Sequence, residues 1–109
     1  MSCEIVATPT FTKDTKKLFK KYKSIKKDIL GLITQLEQDS NCGTNLGNNL
    51  FKIRVKNSAV GGKRGGYRVV YYKKINLNKI YLLTIYSKKQ TENIDMKNFK
   101  NIIQNIDNS

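Results

Sequence analysis

Apolar residues in the N-terminal third of the chain recur at helical spacing. One stripe ends at Tyr22, and a second stripe runs from Ile25 to Leu36 with a 3.6-residue period. We predict a first helix that starts at an N-cap on Thr12 and ends near Tyr22. We predict a second helix that Ser24 caps and that stops in the polar residues after Leu36. The two helices would form a hairpin with one apolar side.

Strand patterns lie on both sides of this hairpin. Residues 4–8 predict a short strand that Pro9 ends. Three more strands are predicted at residues 50–56, 66–73 and 79–86. The first of these three alternates polar and apolar residues, and the last is nearly all apolar, as expected of a central strand buried on both faces. Residues 41–49 predict turns, and residues 91–106 predict a C-terminal helix capped by Thr91.

This order of elements predicts a single α+β domain over residues 1–109. We expect a small antiparallel sheet of about four strands, because the 74–78 connection is short enough for an antiparallel turn. The glycine-rich 57–65 connection predicts a flexible basic loop. The helical hairpin would cover one face of the sheet, a short C-terminal helix would follow the last strand, and the other face would stay partly open.

Charge distinguishes this domain from an ordinary globular one. The formal net charge is +13 and the sequence pI is about 9.9. A domain this basic usually binds nucleic acid or an anionic membrane. The chain has no apolar run near the ~20 residues that span a bilayer, and its N-terminus lacks the pattern of a signal peptide. We therefore expect a cytoplasmic protein with no membrane partner.

Several chemistries are excluded by the residue types that the chain contains. It has no histidine and two distant cysteines, Cys3 and Cys42, so we expect reduced thiols and neither a zinc site nor a disulfide framework. Without histidine there is no Ser-His or Cys-His nucleophile pair. The scarcity of carboxylates argues against a magnesium site. We expect no metal and no cofactor, so any catalysis must use lysine, arginine, tyrosine and the backbone.

The cations are concentrated where the acids are missing. Between Asp39 and Glu92 the chain has no acidic residue and eleven basic ones, namely Lys52, Arg54, Lys56, Lys63, Arg64, Arg68, Lys73, Lys74, Lys79, Lys88 and Lys89. The first three alternate with apolar residues, which places them on one face of their strand about 6.5–7 Å apart. If the next strand pairs with this one, Arg68 can lie near them. This face is suited to a polyanion, with RNA as the first candidate.

Such a cluster permits one metal-free reaction. Neighbouring positive charges disfavour the charged form of a lysine, which can then act as a base, while arginine clamps a phosphate with two parallel hydrogen bonds. A base of this kind can remove the proton from an RNA 2′-hydroxyl, which then attacks the adjacent phosphate. For a single exposed lysine on a strand, solvated surface is the commoner explanation, and it is also favoured for the lysines at the 74–78 turn. A merely solvated patch would normally mix the two signs of charge.

Three runs of the sequence resemble one family. They are FKIRV at residues 51–55, GKRGGYRVVYY at residues 62–72 and IYLLTIYSKK at residues 80–89. Together they are similar to the RelE/ParE toxin superfamily, and within it to the RelE-type and HigB-like toxins. The resemblance implies a small antiparallel sheet with an N-terminal helical pair. It also implies an endoribonuclease that cuts mRNA in the ribosomal A site, leaves a 2′,3′-cyclic phosphate and is silenced by a wrapping antitoxin.

The resemblance also implies which residues act. RelE-type sites use two basic residues two apart on a strand, which match Lys52 and Arg54, and the arginine of the G-Y-R run, which matches Arg68. A basic residue after the last strand matches Lys88 or Lys89. Some members add a C-terminal tyrosine, whereas residues 92–95 read ENID here. We expect further contacts to RNA or ribosome from Lys56, Lys63, Arg64, Lys73 and Tyr86.

Two other functions are compatible with the sequence. The first is a ParE-like inhibitor of DNA gyrase, although ParE members usually lack the converging basic site. The second is a plain RNA-binding protein without catalysis. The residue pattern alone separates binding from cleavage poorly.

Overall fold

Helices and strands follow one another in the order that the apolar pattern predicts, with one additional strand. The computed structural model describes residues 3–59, 66–87 and 97–107, with side chains from residue 99 onward in the last range. The elements are β1 (Glu4–Ala7), α1 (Pro9–Phe19), α2 (Ile25–Gln38), β2 (Thr44–Gly47), β3 (Leu50–Lys56), β4 (Gly66–Lys74), a 3-10 turn (Ile75–Leu77), β5 (Lys79–Ser87) and α3 (Lys97–Asp107). The predicted α+β class is confirmed.

The strands form one mixed sheet in the order β1-β5-β4-β3-β2. The predicted antiparallel arrangement of β3, β4 and β5 is confirmed. The sheet has five strands because β1 pairs in parallel with β5 and β2 forms a hairpin with β3. Strand β2 lies in the segment that we predicted as turns. Its two-residue loop is Asn48-Asn49, and both residues have positive φ, as the tight turns of β-hairpins require.

Two hydrophobic layers lie on opposite faces of the sheet. The helical hairpin covers the first face, where helix residues such as Phe11, Leu32 and Leu36 pack against β3, β4 and β5. Helix α3 covers part of the second face, and its Phe99 and Ile106 belong to a smaller apolar cluster there. Strand β5 is buried on both faces, as predicted for the last strand. Since α3 covers only part of the second face, the charged side chains of β3 stay exposed.

The start of α1 corrects our N-cap prediction. The helix begins at Pro9, and its N-cap is Thr8 instead of Thr12. The Thr8 hydroxyl accepts a hydrogen bond from the Phe11 amide at 3.3 Å and donates one to the Leu82 carbonyl at 2.8 Å. Proline is well tolerated at the first helical position because its missing N–H has no partner there. We had interpreted Pro9 only as the end of the preceding strand.

The other helix boundaries agree more closely with the pattern. Helix α1 ends at Phe19, three residues before the predicted end. Ser24 is the N-cap of α2 as predicted, although its side chain makes no capping hydrogen bond. Helix α3 continues to Asp107, beyond the predicted end, and the predicted cap Thr91 lies outside the described residues.

The Thr8 hydroxyl is a test of how α1 is joined to the sheet. We expect Thr8→Ala to lower the free energy of unfolding by about 1–2 kcal/mol, since it removes a helix cap and a buried hydrogen bond to β5. Thr12→Ala is the matched control, because Thr12 is exposed and should change stability by less than about 0.5 kcal/mol. Urea denaturation followed by circular dichroism measures both. Equal losses in the two variants would contradict the assigned cap.

Candidate nucleic-acid interface

Strand β3 separates its apolar and basic side chains onto opposite faces of the sheet. Phe51, Ile53 and Val55 are buried against the helical hairpin. Lys52, Arg54 and Lys56 alternate with them and are exposed. Since side chains along a strand point to alternate faces, burial of the apolar set places the three cations together on the second face.

The neighbouring strands extend this face sideways. Arg54 lies directly opposite Arg68 in the β3–β4 register, and Arg68 lies directly opposite Tyr86 in the β4–β5 register. Side chains of directly opposed residues share a face, and their Cβ atoms are about 4.5–5.5 Å apart. Two arginines and a tyrosine therefore form a row across three strands. We call Lys52, Arg54, Lys56, Arg68 and Tyr86 the basic face.

The two guanidinium groups converge on one point of the basic face. Gly66, two residues before Arg68 on β4, has no side chain. The position that its Cβ would occupy lies 3.2 Å from Arg68 Nη1 and 3.4 Å from Arg54 Nε. Arg68 Nη1 also donates a hydrogen bond to the Tyr67 carbonyl at 3.3 Å. The two side chains thus present their donors from adjacent positions, which suits an anion with several oxygens.

Three acidic side chains among the described residues, those of Asp14, Asp28 and Asp107, have partners in the structure. Asp14 accepts a hydrogen bond from the Thr84 hydroxyl, and Asp107 forms an ion pair with Lys74 at 3.6 Å. Asp28 of α2 accepts from the Ser58 amide at 3.1 Å. Asp28 also lines, with Arg54 and Lys56, a cleft of about 280 Å³ beside β3. Asp28 is thus an acidic residue next to the basic face. The alternation along β3 could not predict it, because Asp28 belongs to α2.

Tyr86 gives the row an aromatic end. Burial raises the pKa of the Tyr86 phenol, and the positive charge of Arg68 opposes that rise. Its ring is half-buried and adjacent to a guanidinium group. An aromatic side chain in this position can stack on an unpaired base, since every base has a π-face.

Comparison with known proteins places the whole arrangement in one family. A family model described as the RelE toxin of the RelE/RelB toxin–antitoxin system matches residues 9–107. The chain belongs to the RelE toxin family. It is accordingly a toxin of a toxin–antitoxin system.

Solved structures agree with this membership at the level of the fold. Among them is the E. coli toxin RelE, a double arginine-to-alanine mutant in the free state, at 15% sequence identity and a TM-score of 0.62. The match covers 84% of this chain and 90% of that one. No curated protein sequence matches the chain.

Lys73, which we predicted to contact RNA or the ribosome, lies on the opposite face of the sheet from the basic face. The Lys73 ammonium donates to the Asn41 side chain and lies 5.4 Å from the Phe51 ring centroid, on the face that the hairpin covers. The structure therefore does not bring Lys73 to the basic face. Lys63, Arg64, Lys88 and Lys89 lie outside the described residues.

The described residues also bear on metal binding, membrane crossing and the state of the two cysteines. Within residues 3–59, 66–87 and 97–107, no three histidine, cysteine, aspartate or glutamate side chains are placed to share a metal ion. Across the same ranges, none of the helices has the length and apolar character to cross a membrane. Cys3 and Cys42 are free thiols.

Tyr67 and Tyr71 of β4 are buried on the hairpin side of the sheet, opposite the basic face. The Tyr71 hydroxyl donates to the Ser40 carbonyl at 3.1 Å and accepts from the Gly43 amide at 3.2 Å. Its ring stacks on Phe51 with centroids 5.2 Å apart. These contacts tie residues 40–43 to the back of β3. The buried Tyr67 hydroxyl, in contrast, has no hydrogen-bond partner within the described part of the chain.

The two tyrosines should therefore respond oppositely to loss of the hydroxyl. We expect Tyr71→Phe to lower the free energy of unfolding by about 1–2 kcal/mol, because a Gly43 amide and a Ser40 carbonyl lose their partner. Tyr67→Phe should be neutral or stabilising by up to about 1 kcal/mol, because a buried unpaired hydroxyl is removed. Urea denaturation at neutral pH compares them, and destabilisation by both variants would contradict this assignment.

Alkaline pH gives a second test of the same two residues. Burial is the main cause that raises the pKa of Tyr67 and that of Tyr71 to about 12. Both lie above the unfolded value of about 10, so folding favours the neutral phenols. Ionisation of these two phenols therefore leaves the free energy of unfolding unchanged below pH 10 and lowers it as the pH rises towards 12. Tyr67→Phe should lose less stability over this window than the wild type.

Proposed function

We propose that this RelE-family toxin is a metal-independent endoribonuclease that cleaves mRNA in the ribosomal A site and so inhibits translation. The observation that carries the proposal is the convergence of Arg54 and Arg68 beside Gly66, on a face that also holds Lys52. A toxin that only bound RNA would need positive charge spread along a backbone track. Two guanidinium groups beside one position instead suit a single phosphate group in which charge develops.

The reaction that fits these side chains is an internal transesterification. A base takes the proton of the ribose 2′-hydroxyl, the 2′-oxygen bonds to phosphorus, and the bond from phosphorus to the 5′-oxygen breaks. The departing 5′-oxygen takes up a proton, which leaves a 2′,3′-cyclic phosphate and a 5′-hydroxyl. Arginine does not usefully deprotonate, so we assign the role of base to a lysine. Lys52 lies two residues from Arg54 on the same face.

The two arginines act on the negative charge that builds on the non-bridging phosphoryl oxygens. Removal of one preorganised donor to such an oxyanion typically costs about 10²–10³ in rate. Lys88 or Lys89, by resemblance to the family, would assist the leaving 5′-oxygen. Lys56 and Tyr86 would hold the flanking nucleotides through a phosphate contact and base stacking. Lys63, Arg64 and Lys73 would contact RNA or the ribosome away from the reacting phosphate.

The partners follow from this proposal and from the family. The substrate is mRNA within the ribosome, so the surrounding rRNA supplies further phosphates for Lys63, Arg64 and Lys73. A cognate antitoxin keeps the toxin silent in the cytoplasm, where both ribosome and substrate are found. No metal ion takes part in the proposed reaction.

Induced expression of matched variants tests the proposal. Wild-type protein should arrest growth and create new mRNA 5′ ends detectable by primer extension. Arg54→Ala and Arg68→Ala should each reduce cleavage about 10²–10³-fold, because each removes one donor to the oxyanion. Lys79→Ala is the charge-matched control. Its ion pair with Glu4 is mostly exposed and lies at the far end of β5, so cleavage should persist.

Three outcomes would overturn the proposal. Growth arrest with a DNA-damage response and no new mRNA 5′ ends would indicate a gyrase inhibitor. Harmless expression of a protein that still binds RNA would indicate a binding protein. Full cleavage by both arginine variants would remove the convergence of Arg54 and Arg68 as the basis of catalysis.

A further inference from the structure

Gly66 is the first residue of β4 and lies opposite Lys56 of β3. It is buried, and it stands two residues before Arg68, so its missing side chain would point to the basic face. Among the described glycines, Gly47 is the one with positive φ, so Gly66 is not required by a left-handed backbone. Steric contacts around Gly66, and not its backbone conformation, therefore account for a glycine at this position.

That space is occupied by the groups proposed to act on the phosphate. A Cβ on Gly66 would lie 3.2 Å from Arg68 Nη1, 3.3 Å from the Val55 carbonyl oxygen and 3.4 Å from Arg54 Nε. Ordinary contacts between non-bonded heavy atoms are about 3.5–4.0 Å. A methyl group would therefore press on Arg68 Nη1 and on the Val55 carbonyl oxygen, and it would just touch Arg54 Nε.

We propose that Gly66 is a positioning residue for RNA cleavage, because its missing side chain leaves the space in which Arg54 and Arg68 present their donors to one phosphate. This inference rests on the function proposed above. The glycine does not touch substrate and acts through the two arginines. A methyl group at position 66 requires its tightest neighbours, among them Arg68 Nη1, to move by a few tenths of an ångström. A displacement of about 1 Å at a reacting centre can cost 10²-fold in rate, so this smaller shift should cost less.

The fold should tolerate the change better than the activity does. Arginine side chains end in flexible, water-accessible groups, so a methyl group can push them aside without disturbing the core. The hydrogen bond from Arg68 Nη1 to the Tyr67 carbonyl is a long one at 3.3 Å, so it holds the guanidinium group only weakly. The expected signature is a variant that stays folded and still binds the ribosome, yet cleaves slowly.

Single-turnover cleavage on ribosomes programmed with mRNA tests this signature. We expect Gly66→Ala to lower the maximal cleavage rate about 3- to 10-fold, with little change in the ribosome concentration that gives half the maximal rate. Gly66→Val should lower the rate further. Gly31→Ala is the control, since Gly31 is an exposed helical glycine with nothing within 4 Å of its Cβ position. Thermal unfolding of each variant shows whether it remains folded at the assay temperature.

A double-mutant cycle separates positioning from a general structural role. In an Arg68→Ala background, the methyl group of Gly66→Ala no longer meets the guanidinium group that it would approach most closely. Its further loss in rate should then be clearly smaller than in the wild type. Losses that multiply independently, a Gly66→Ala rate equal to that of the wild type, or a loss that only tracks unfolding would each overturn the inference.

The inference and the function on which it rests fail in different ways. If Arg54→Ala and Arg68→Ala cleave normally, the proposed catalytic role of the arginines is wrong. If those two variants are inactive while Gly66→Ala is fully active, the arginines act as proposed and only the role of Gly66 is wrong.

Discussion

The structure holds two arginines directly opposite each other on neighbouring strands, and this placement depends on the strand register. Like charges in such a pair destabilise a sheet by up to about 1 kcal/mol. The register is fixed by the other face, where Phe51, Ile53 and Val55 meet the apolar side chains of β4 under the helical hairpin. Burial of each such side chain contributes about 1.5–3 kcal/mol, so the apolar face outweighs the repulsion. A slip of one residue would exchange the two faces.

The remaining architecture determines how much of that charged face stays accessible. Helix α3 packs over Leu50, Val70, Tyr72 and Leu83, so one part of the second face is apolar and covered. The Lys74–Asp107 ion pair and the hydrogen bond from the Tyr72 hydroxyl to Asp107 fix its C-terminal end. The row from Arg54 to Tyr86 lies beside this covered part. The chain thus combines a rigid sheet, a fixed apolar neighbour and an exposed group of donors, which is the preorganisation that electrostatic catalysis needs.

The sequence was sufficient for elements that have strong periodicity. The alternation in β3 and the apolar run of β5 predicted their faces, and parity along β3 placed Lys52, Arg54 and Lys56 together. Strand β2 was missed because Asn45 and Gly47 favour turns, and pairing with β3 overrides that preference. The Thr8 cap was missed because its second partner, the Leu82 carbonyl, is distant in sequence.

In the candidate site, too, contacts between neighbouring strands could be predicted from the sequence, whereas contacts that depend on helix packing could not. The Arg54–Arg68 pairing needed only the assumption of a hairpin, whereas the closeness of Asp28 depends on where α2 packs. The faces on which Lys73 and Gly66 lie could have been predicted from the alternation of side chains along β4. Lys73 shares the parity of Tyr71 on the hairpin face, and Gly66 shares that of Arg68 on the basic face.

The central claim is that cationic side chains on a rigid sheet activate the substrate's own 2′-hydroxyl. It is tested most directly with purified protein and ribosomes programmed with two mRNAs, one all-ribose and one with a single 2′-deoxynucleotide on the 5′ side of the cleaved bond. The account predicts cleavage of the first mRNA to a fragment that ends in a 2′,3′-cyclic phosphate, and no cleavage of the second at that bond. Equal cleavage of both mRNAs would contradict it.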